Sequence, residues 1–211
     1  MRALIIVDVQ NDFITGSLPV PDGETIIPRL REISPTFDLV VLTKDWHPSD
    51  HKSFASQNGM KPYEVGELNG KPQIMWPDHC VQGSVGAELH PQLDVKSDKI
   101  ILKGANKEHE CYSGFCDVSG NETELDAFLQ EHNVTEVFVC GLATDYCVKE
   151  TALDSVRRGY KTHFLEDVSK GVSHQTVEEA KALMWESNVT ITSSLLHDAS
   201  PMRSLFHQKS V

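Results

Sequence analysis

Six short runs of apolar, largely β-branched residues recur along the chain, at 3–9, 38–43, 98–103, 136–141, 161–166 and 189–193. Their centres, such as Leu4-Ile5-Ile6-Val7 and Val137-Phe138-Val139, do not alternate with polar residues. That is the pattern of strands covered on both faces. Helical patterns separate several of them, at 24–33, 122–131, 146–158 and 175–186. Strand alternating with helix builds a parallel sheet with helices packed against both sides. The expected fold is therefore α/β, three layers (α/β/α) around a mostly parallel central sheet of about six strands. A chain of 211 residues buries enough surface, roughly 70% of what its unfolded form exposes, to need no staple. With no repeat or composition break, residues 1–211 read as one domain.

The alternation fails from about residue 45 to 85, where Pro, Gly, His, Trp and Asn accumulate without periodicity. A stretch of that length inside a compact domain is either functional or disordered. Trp46, Tyr63, Trp76, His47, His51, His79 and Cys80 all fall within it, and they favour function.

Charge and cysteine usage exclude several classes of role. Nineteen basic residues against 31 acidic leave a net charge of −12. That sign opposes a grip on nucleic-acid phosphates and on an anionic membrane surface, and it favours solubility. Ala3 to Val7 is among the longest apolar runs. A membrane span needs about twenty such residues, and the run stops at Asp8, too early for a signal segment. Five irregularly spaced cysteines suit a reducing compartment better than a disulfide scaffold. A cytoplasmic location is expected. Asn121, Asn133 and Asn188 each begin an Asn-x-Thr triplet, which reads as chance here.

In open α/β sheets reactive groups gather at the carboxyl ends of the strands. Asp8 ends the first run, Asp45-Trp46-His47 follows the second, and Lys103 ends the third. Gly141-Leu142-Ala143-Thr144-Asp145-Tyr146-Cys147 follows the fourth. Thr144 or Asp145 is placed to cap the next helix, and Gly159 to close it. Cys147 in that first turn would meet unpaired N–H groups that favour a thiolate and offer hydrogen bonds to an oxyanion. It is equally readable as a buried helix cysteine, and Asp8 as a solvated strand end. Cys140 reads as core. Lys103, emerging from an apolar run, must find a carboxylate or stay near water. Asp45 and His47, two apart on an extended segment, point the same way and can reach one ion. His79 and His51 are further candidates, and scattered surface histidines are the alternative.

Taken together, Asp8-Val-Gln-Asn-Asp-Phe13, Asp45-Trp-His-Pro-Ser-Asp-His51, Trp76-Pro-Asp-His-Cys-Val-Gln82, Lys103-Gly104 and Gly141-Leu-Ala-Thr-Asp-Tyr-Cys147 closely resemble the nicotinamidase branch of the isochorismatase-like cysteine hydrolases. The resemblance runs in family order from residue 3 to about 172. It implies hydrolysis of nicotinamide to nicotinic acid and ammonia through a thioester, as in NAD salvage. It makes Cys147 the nucleophile, Asp8 the general base and Lys103 the member that orients and stabilises charge. The N–H groups of Ala143 and Cys147 would form the oxyanion hole, with a cis peptide before Ala143. Phe13, Trp76 and Tyr112 would clamp the ring. Asp45, His47 and His79 would hold one divalent ion, zinc first and iron or manganese after it, on a loop inserted at about 45–85. His51 is a fourth ligand in some members. The implied partner is a small-molecule amide, and a homo-oligomer is left open. Another amide hydrolase of the same superfamily, a non-catalytic metabolite-binding member and a zinc-stabilised structural module are the competing readings.

Overall fold

Successive residues of β1 (Arg2–Val7) point to opposite faces of the sheet, and both faces are buried. The computed structural model describes residues 1–196; residues 197–211 of the expected domain lie outside the described residues. Beside β1 run β2 (Leu39–Asp45), β5 (Lys99–Lys103), β6 (Glu136–Leu142), β7 (Lys161–Lys170) and β8 (Thr190–Thr192). These six strands pair in parallel in the order β5-β2-β1-β6-β7-β8.

On one face Leu4, Ile6, Val40 and Leu42 pack with Ile27, Leu30 and Ile33 of α2 (Ile27–Ile33), which carries Pro28 in its first turn. On the other, Ala3, Ile5, Val41 and Val137 meet Leu125 and Leu129 of α4 (Leu125–Glu131). Ala152 and Leu153 of α5 (Lys149–Arg157) and Met184 of α6 (His174–Glu186) complete that layer. Each fully buried Leu or Ile is worth about 1.5–3 kcal/mol, so the two apolar faces of the central strands dictate three layers.

Two departures from the expected elements have physical causes. The third run is not covered on both faces. Ile100 is 44% and Leu102 49% exposed, while Ile101 and Lys103 are buried, because β5 lies at the sheet edge. α4 begins at Leu125 rather than 122, since the Thr123 hydroxyl accepts from the Leu125 amide (3.1 Å) and donates to the Gly114 carbonyl (2.6 Å), holding a turn instead. Asn133 and Asn188 adopt φ of 52° and 67° just past α4 and α6, the left-handed position where asparagine commonly ends a helix.

The 45–85 region is ordered. It contains the short helix α3 (Ala55–Asn58) and an antiparallel hairpin of β3 (Val65–Leu68) and β4 (Lys71–Ile74). The hairpin turn is Asn69-Gly70, with φ of 54° and 76°, the dipeptide that a two-residue turn with two positive φ values selects.

Candidate active site

Parallel strands end on one edge, so the order β5-β2-β1-β6 sets four strand ends side by side. Lys103 is registered opposite Asp45, Asp8 follows β1, and β6 leads into the turn carrying Cys147. Gly141 makes that turn feasible. With φ of 113°, its hypothetical Cβ would sit 2.2 Å from the Val7 carbonyl oxygen, so only glycine lets β6 approach β1 so closely. The Leu142–Ala143 peptide is cis, as the resemblance implies.

The chain then makes a π-helical turn over Thr144–Val148 before α5 begins. The amides of Tyr146 and Val148 both donate to the Ala143 carbonyl at 3.1 Å. Neither Thr144 nor Asp145 caps this helix, contrary to expectation; Ala143 occupies the cap position with no side-chain bond. The Asp145 carboxylate turns instead to the start of α6, accepting from the amides of Val172 (3.0 Å) and Ser173 (3.4 Å) and from the Thr176 hydroxyl.

Lys103 joins the groups at this edge. It is 2% exposed, and its Nζ lies 2.9 Å from Asp8 Oδ2, pairs with Asp45, donates to the Cys111 carbonyl at 3.1 Å and reaches Cys147 Sγ at 3.4 Å. Burial disfavours its charge, but Asp45 and Asp8 more than offset that and hold its pKa well above the ordinary lysine value. Asp8 is wholly buried, with φ of 50°, and Thr43 donates to its Oδ1 at 2.6 Å. Burial pushes its carboxyl up to about 6, against the pull of Lys103 and with a further push from Asp45. For Asp45 burial acts in the same sense, but Lys103 and His47 outweigh it and keep the carboxyl below the usual carboxylate range. Two carboxylates sharing one lysine are thus driven apart, Asp8 upward and Asp45 downward.

The expected thiolate preference of Cys147 is overturned. Burial pushes its thiol well above the ordinary value, and Asp8 and Asp45 add to that, with Lys103 opposing. Low dielectric and two nearby acids prevail over the helix start. Asp8, Asp45 and Cys147 each place a ligand-type atom within 4.8 Å of the others, so an acceptor for the thiol proton is at hand.

Asp45, His47 and His79 form a second buried group whose donor atoms also lie within 4.8 Å of one another. The Nδ1 atoms of His47 and His79 face the carbonyls of Gly104 (2.9 Å) and Pro77 (2.7 Å). Those carbonyls can only accept, so each Nδ1 carries a proton, and in the neutral ring each Nε2 keeps a lone pair. The two Nε2 atoms lie 3.6 and 3.9 Å from Asp45 Oδ2. One carboxylate and two imidazole lone pairs aimed at a common point fit a divalent cation with open positions. His79 titrates low, at about 4, chiefly through burial and then through His47, which suits a neutral imidazole donor. His51 lies beside His47, its ring tilted by 53° with centroids 4.5 Å apart. Its Nδ1 accepts from the Ser53 amide (3.2 Å) and its Nε2 faces the His109 carbonyl (3.3 Å), so both ring nitrogens are engaged by the protein.

A cavity of about 680 Å³, its open mouth included, has Asp45, His79, Ala143 and Cys147 among its lining residues. Phe13, Trp76 and Tyr112 are among its lining residues, and so are Tyr146 and Glu110, to which the sequence gave no role. Tyr146 stands between two residues already singled out, and its ring packs edge-on to Trp76 at 5.1 Å. Glu110, 3% exposed, had no signal beyond its place two residues before Tyr112. Leu18 and Val20 line the mouth from the segment after α1 (Asn11–Ile14).

The isochorismatase domain family matches residues 2–194 of the chain. A nicotinamidase of Escherichia coli is 43% identical over 204 residues, covering 93% of this chain and 96% of the relative. Among solved structures, a nicotinamidase/pyrazinamidase of Acinetobacter baumannii superposes with a TM-score of 0.89 at 41% identity, covering 92% of this chain and 96% of the other. A pyrazinamidase of Pyrococcus horikoshii in complex with zinc superposes with a TM-score of 0.77 at 37% identity, over 91% and 98%.

Proposed function

The chain belongs to the isochorismatase family, and from that premise we propose that it is a nicotinamidase, a cysteine amidohydrolase that converts nicotinamide to nicotinic acid and ammonia. The observation that carries this reading is Lys103, which touches Asp8, Asp45 and Cys147 at once and so joins a nucleophile–base pair to the Asp45/His47/His79 group beneath one aromatic cavity. Relatives named nicotinamidase support the substrate, and the zinc complex supports the ion.

In the proposed reaction Asp8 takes the Cys147 Sγ proton as the sulfur attacks the carboxamide carbon. Lys103 remains charged throughout and holds Asp8 and Cys147 in register. The carbonyl oxygen, now anionic, sits on the N–H groups of Ala143 and Cys147. Asp8 returns the proton to the departing nitrogen as the C–N bond breaks, releasing ammonia and leaving a thioester. Water, deprotonated by Asp8, cleaves the thioester and frees the acid. Phe13, Trp76 and Tyr112 hold the ring. Asp45, His47 and His79 would hold one divalent ion, zinc before iron or manganese, with His51 outside the ligand set because its Nε2 is committed to His109. When bound, the ion supplies Lewis-acid anchoring for a ring nitrogen. The whole site belongs to one domain in this reading, with the 45–85 insertion contributing Asp45, His47, Trp76 and His79.

Ammonia release from nicotinamide, with and without a chelator, tests the proposal. Release that the chelator diminishes and added zinc restores is expected. No release by the metal-loaded protein, or release from other amides but not this one, would refute it.

A further inference from the structure

The β3–β4 hairpin stands outside the six-stranded sheet, and of its eight strand residues only Gln73 is buried. A buried amide must be hydrogen-bonded or it destabilises the fold. Gln73 Nε2 lies 2.8 Å from the Ile74 carbonyl, 3.1 Å from Tyr112 Oη and 3.3 Å from Glu110 Oε2. A carbonyl and a carboxylate accept only, which fixes the nitrogen, and not the oxygen, on this side of the amide.

Tyr112 Oη also accepts from Trp76 Nε1 at 3.1 Å. Its oxygen is therefore held by two donors, one from another wall residue and one from the hairpin. The other Glu110 oxygen accepts from the Cys111 amide at 2.9 Å. At the hairpin tip Asn69 Nδ2 donates to the Glu108 carbonyl (2.5 Å) and lies 3.0 Å from His109 Nδ1. The hairpin thus grips the 108–112 segment at two places, and Gln73 is the grip nearest the cavity. Gln73 does not itself face the cavity, whereas Tyr112, Glu110 and Trp76 do.

From this we infer that Gln73 is a positioning residue that sets the Tyr112 ring against the substrate, and so tunes ring binding rather than the chemistry at Cys147. The inference rests on the nicotinamidase reading. It assigns the hairpin a role, as a brace for the pocket wall. A side chain that acts only by holding Tyr112 has a distinctive signature, because its loss is invisible once the Tyr112 hydroxyl has gone.

The test is a double-mutant cycle of Gln73→Leu and Tyr112→Phe, with Gln73→Met as a second apolar replacement. Losing one neutral hydrogen bond to the clamp should raise KM for nicotinamide about 3- to 10-fold, with kcat unchanged. The double variant should be no worse than the poorer single, since both changes break the same link. Near-ultraviolet circular dichroism of the Trp76–Tyr112–Tyr146 cluster should change in Q73L and change little further in the double variant, a readout that needs no substrate. If the wild type turns over no nicotinamide, the functional reading fails and the dichroism alone decides this one. Wild-type KM with wild-type dichroism in Q73L overturns the inference, and so does a kcat loss at constant KM, or additivity in the cycle.

Discussion

Replacing Asp8 with Asn should make the protein more stable at neutral pH while disabling it. Asp8 is fully buried, and it shares a single lysine with Asp45, so the three side chains together carry one excess negative charge. The rise of its carboxyl from 3.8 to about 6, at 1.36 kcal/mol per pKa unit, sets on the order of 3 kcal/mol against the ionised form. The folded-state pKa is the higher one, so the native state binds this proton more tightly than the unfolded chain does. That contribution is complete below about pH 4 and is lost as pH rises through about 6. Asparagine mimics the protonated acid at every pH. Asp8→Asn should therefore exceed the wild type by up to about 3 kcal/mol near pH 8, and the gap should close toward pH 4. Lys103 keeps Asp45 as a partner, so no buried charge is orphaned. Urea unfolding of chelator-treated protein across that range measures the gap. Ammonia release should show kcat reduced by a factor of about 10² or more, because an amide cannot accept the thiol proton. A variant less stable than wild type near pH 8, or a gap that does not vary with pH, refutes the reasoning.

Other consequences can be checked alongside it. Cys147→Ala should abolish turnover and leave the thermal transition near that of wild type; substantial residual ammonia release would eliminate the cysteine mechanism. His79→Ala should lose the ion and raise KM, because one of two Nε2 donors facing Asp45 disappears; elemental analysis with a full metal complement would remove His79 from the ligand set. The kcat/KM profile should fall about tenfold per pH unit below the Asp8 pKa, near pH 6, since the proposed mechanism uses the ionised carboxylate as base; an acid limb near the ordinary carboxylate value would assign proton transfer to another group. Thr43→Val removes the 2.6 Å hydrogen bond to Asp8 Oδ1 and should move that limb upward, a shift that an unchanged profile would disprove.

The sequence alone determined the layers and the edge on which the chemistry gathers. Non-alternating runs such as Leu4–Val7 can be satisfied only by burial on both faces, and once the strands are parallel their carboxyl ends must converge. Asp8, Asp45 and Lys103 were legible for that reason, since each sits where a strand stops, and Cys147 because it lies in the turn that follows one. What the sequence withheld depends on partners distant in the chain. Burial by several elements together sets the Cys147 thiol and the Asp8 carboxyl, and it reversed the thiolate expectation drawn from the local turn. The exposed face of β5 follows from its edge position, which no run of Ile and Leu reveals. Asp145 accepts from the amides of Val172 and Ser173, just before α6 and 27 or more residues away, instead of capping its own helix, because those amides are the ones its side chain reaches. Glu110, Tyr146 and Gln73 stayed hidden because an acid, a tyrosine and an amide carry no periodic signal. Only the folding of the hairpin against the 108–112 segment sets Glu110 in the pocket wall with Gln73 behind it. Periodicity reports what must be buried; which polar groups meet there is decided by long-range packing.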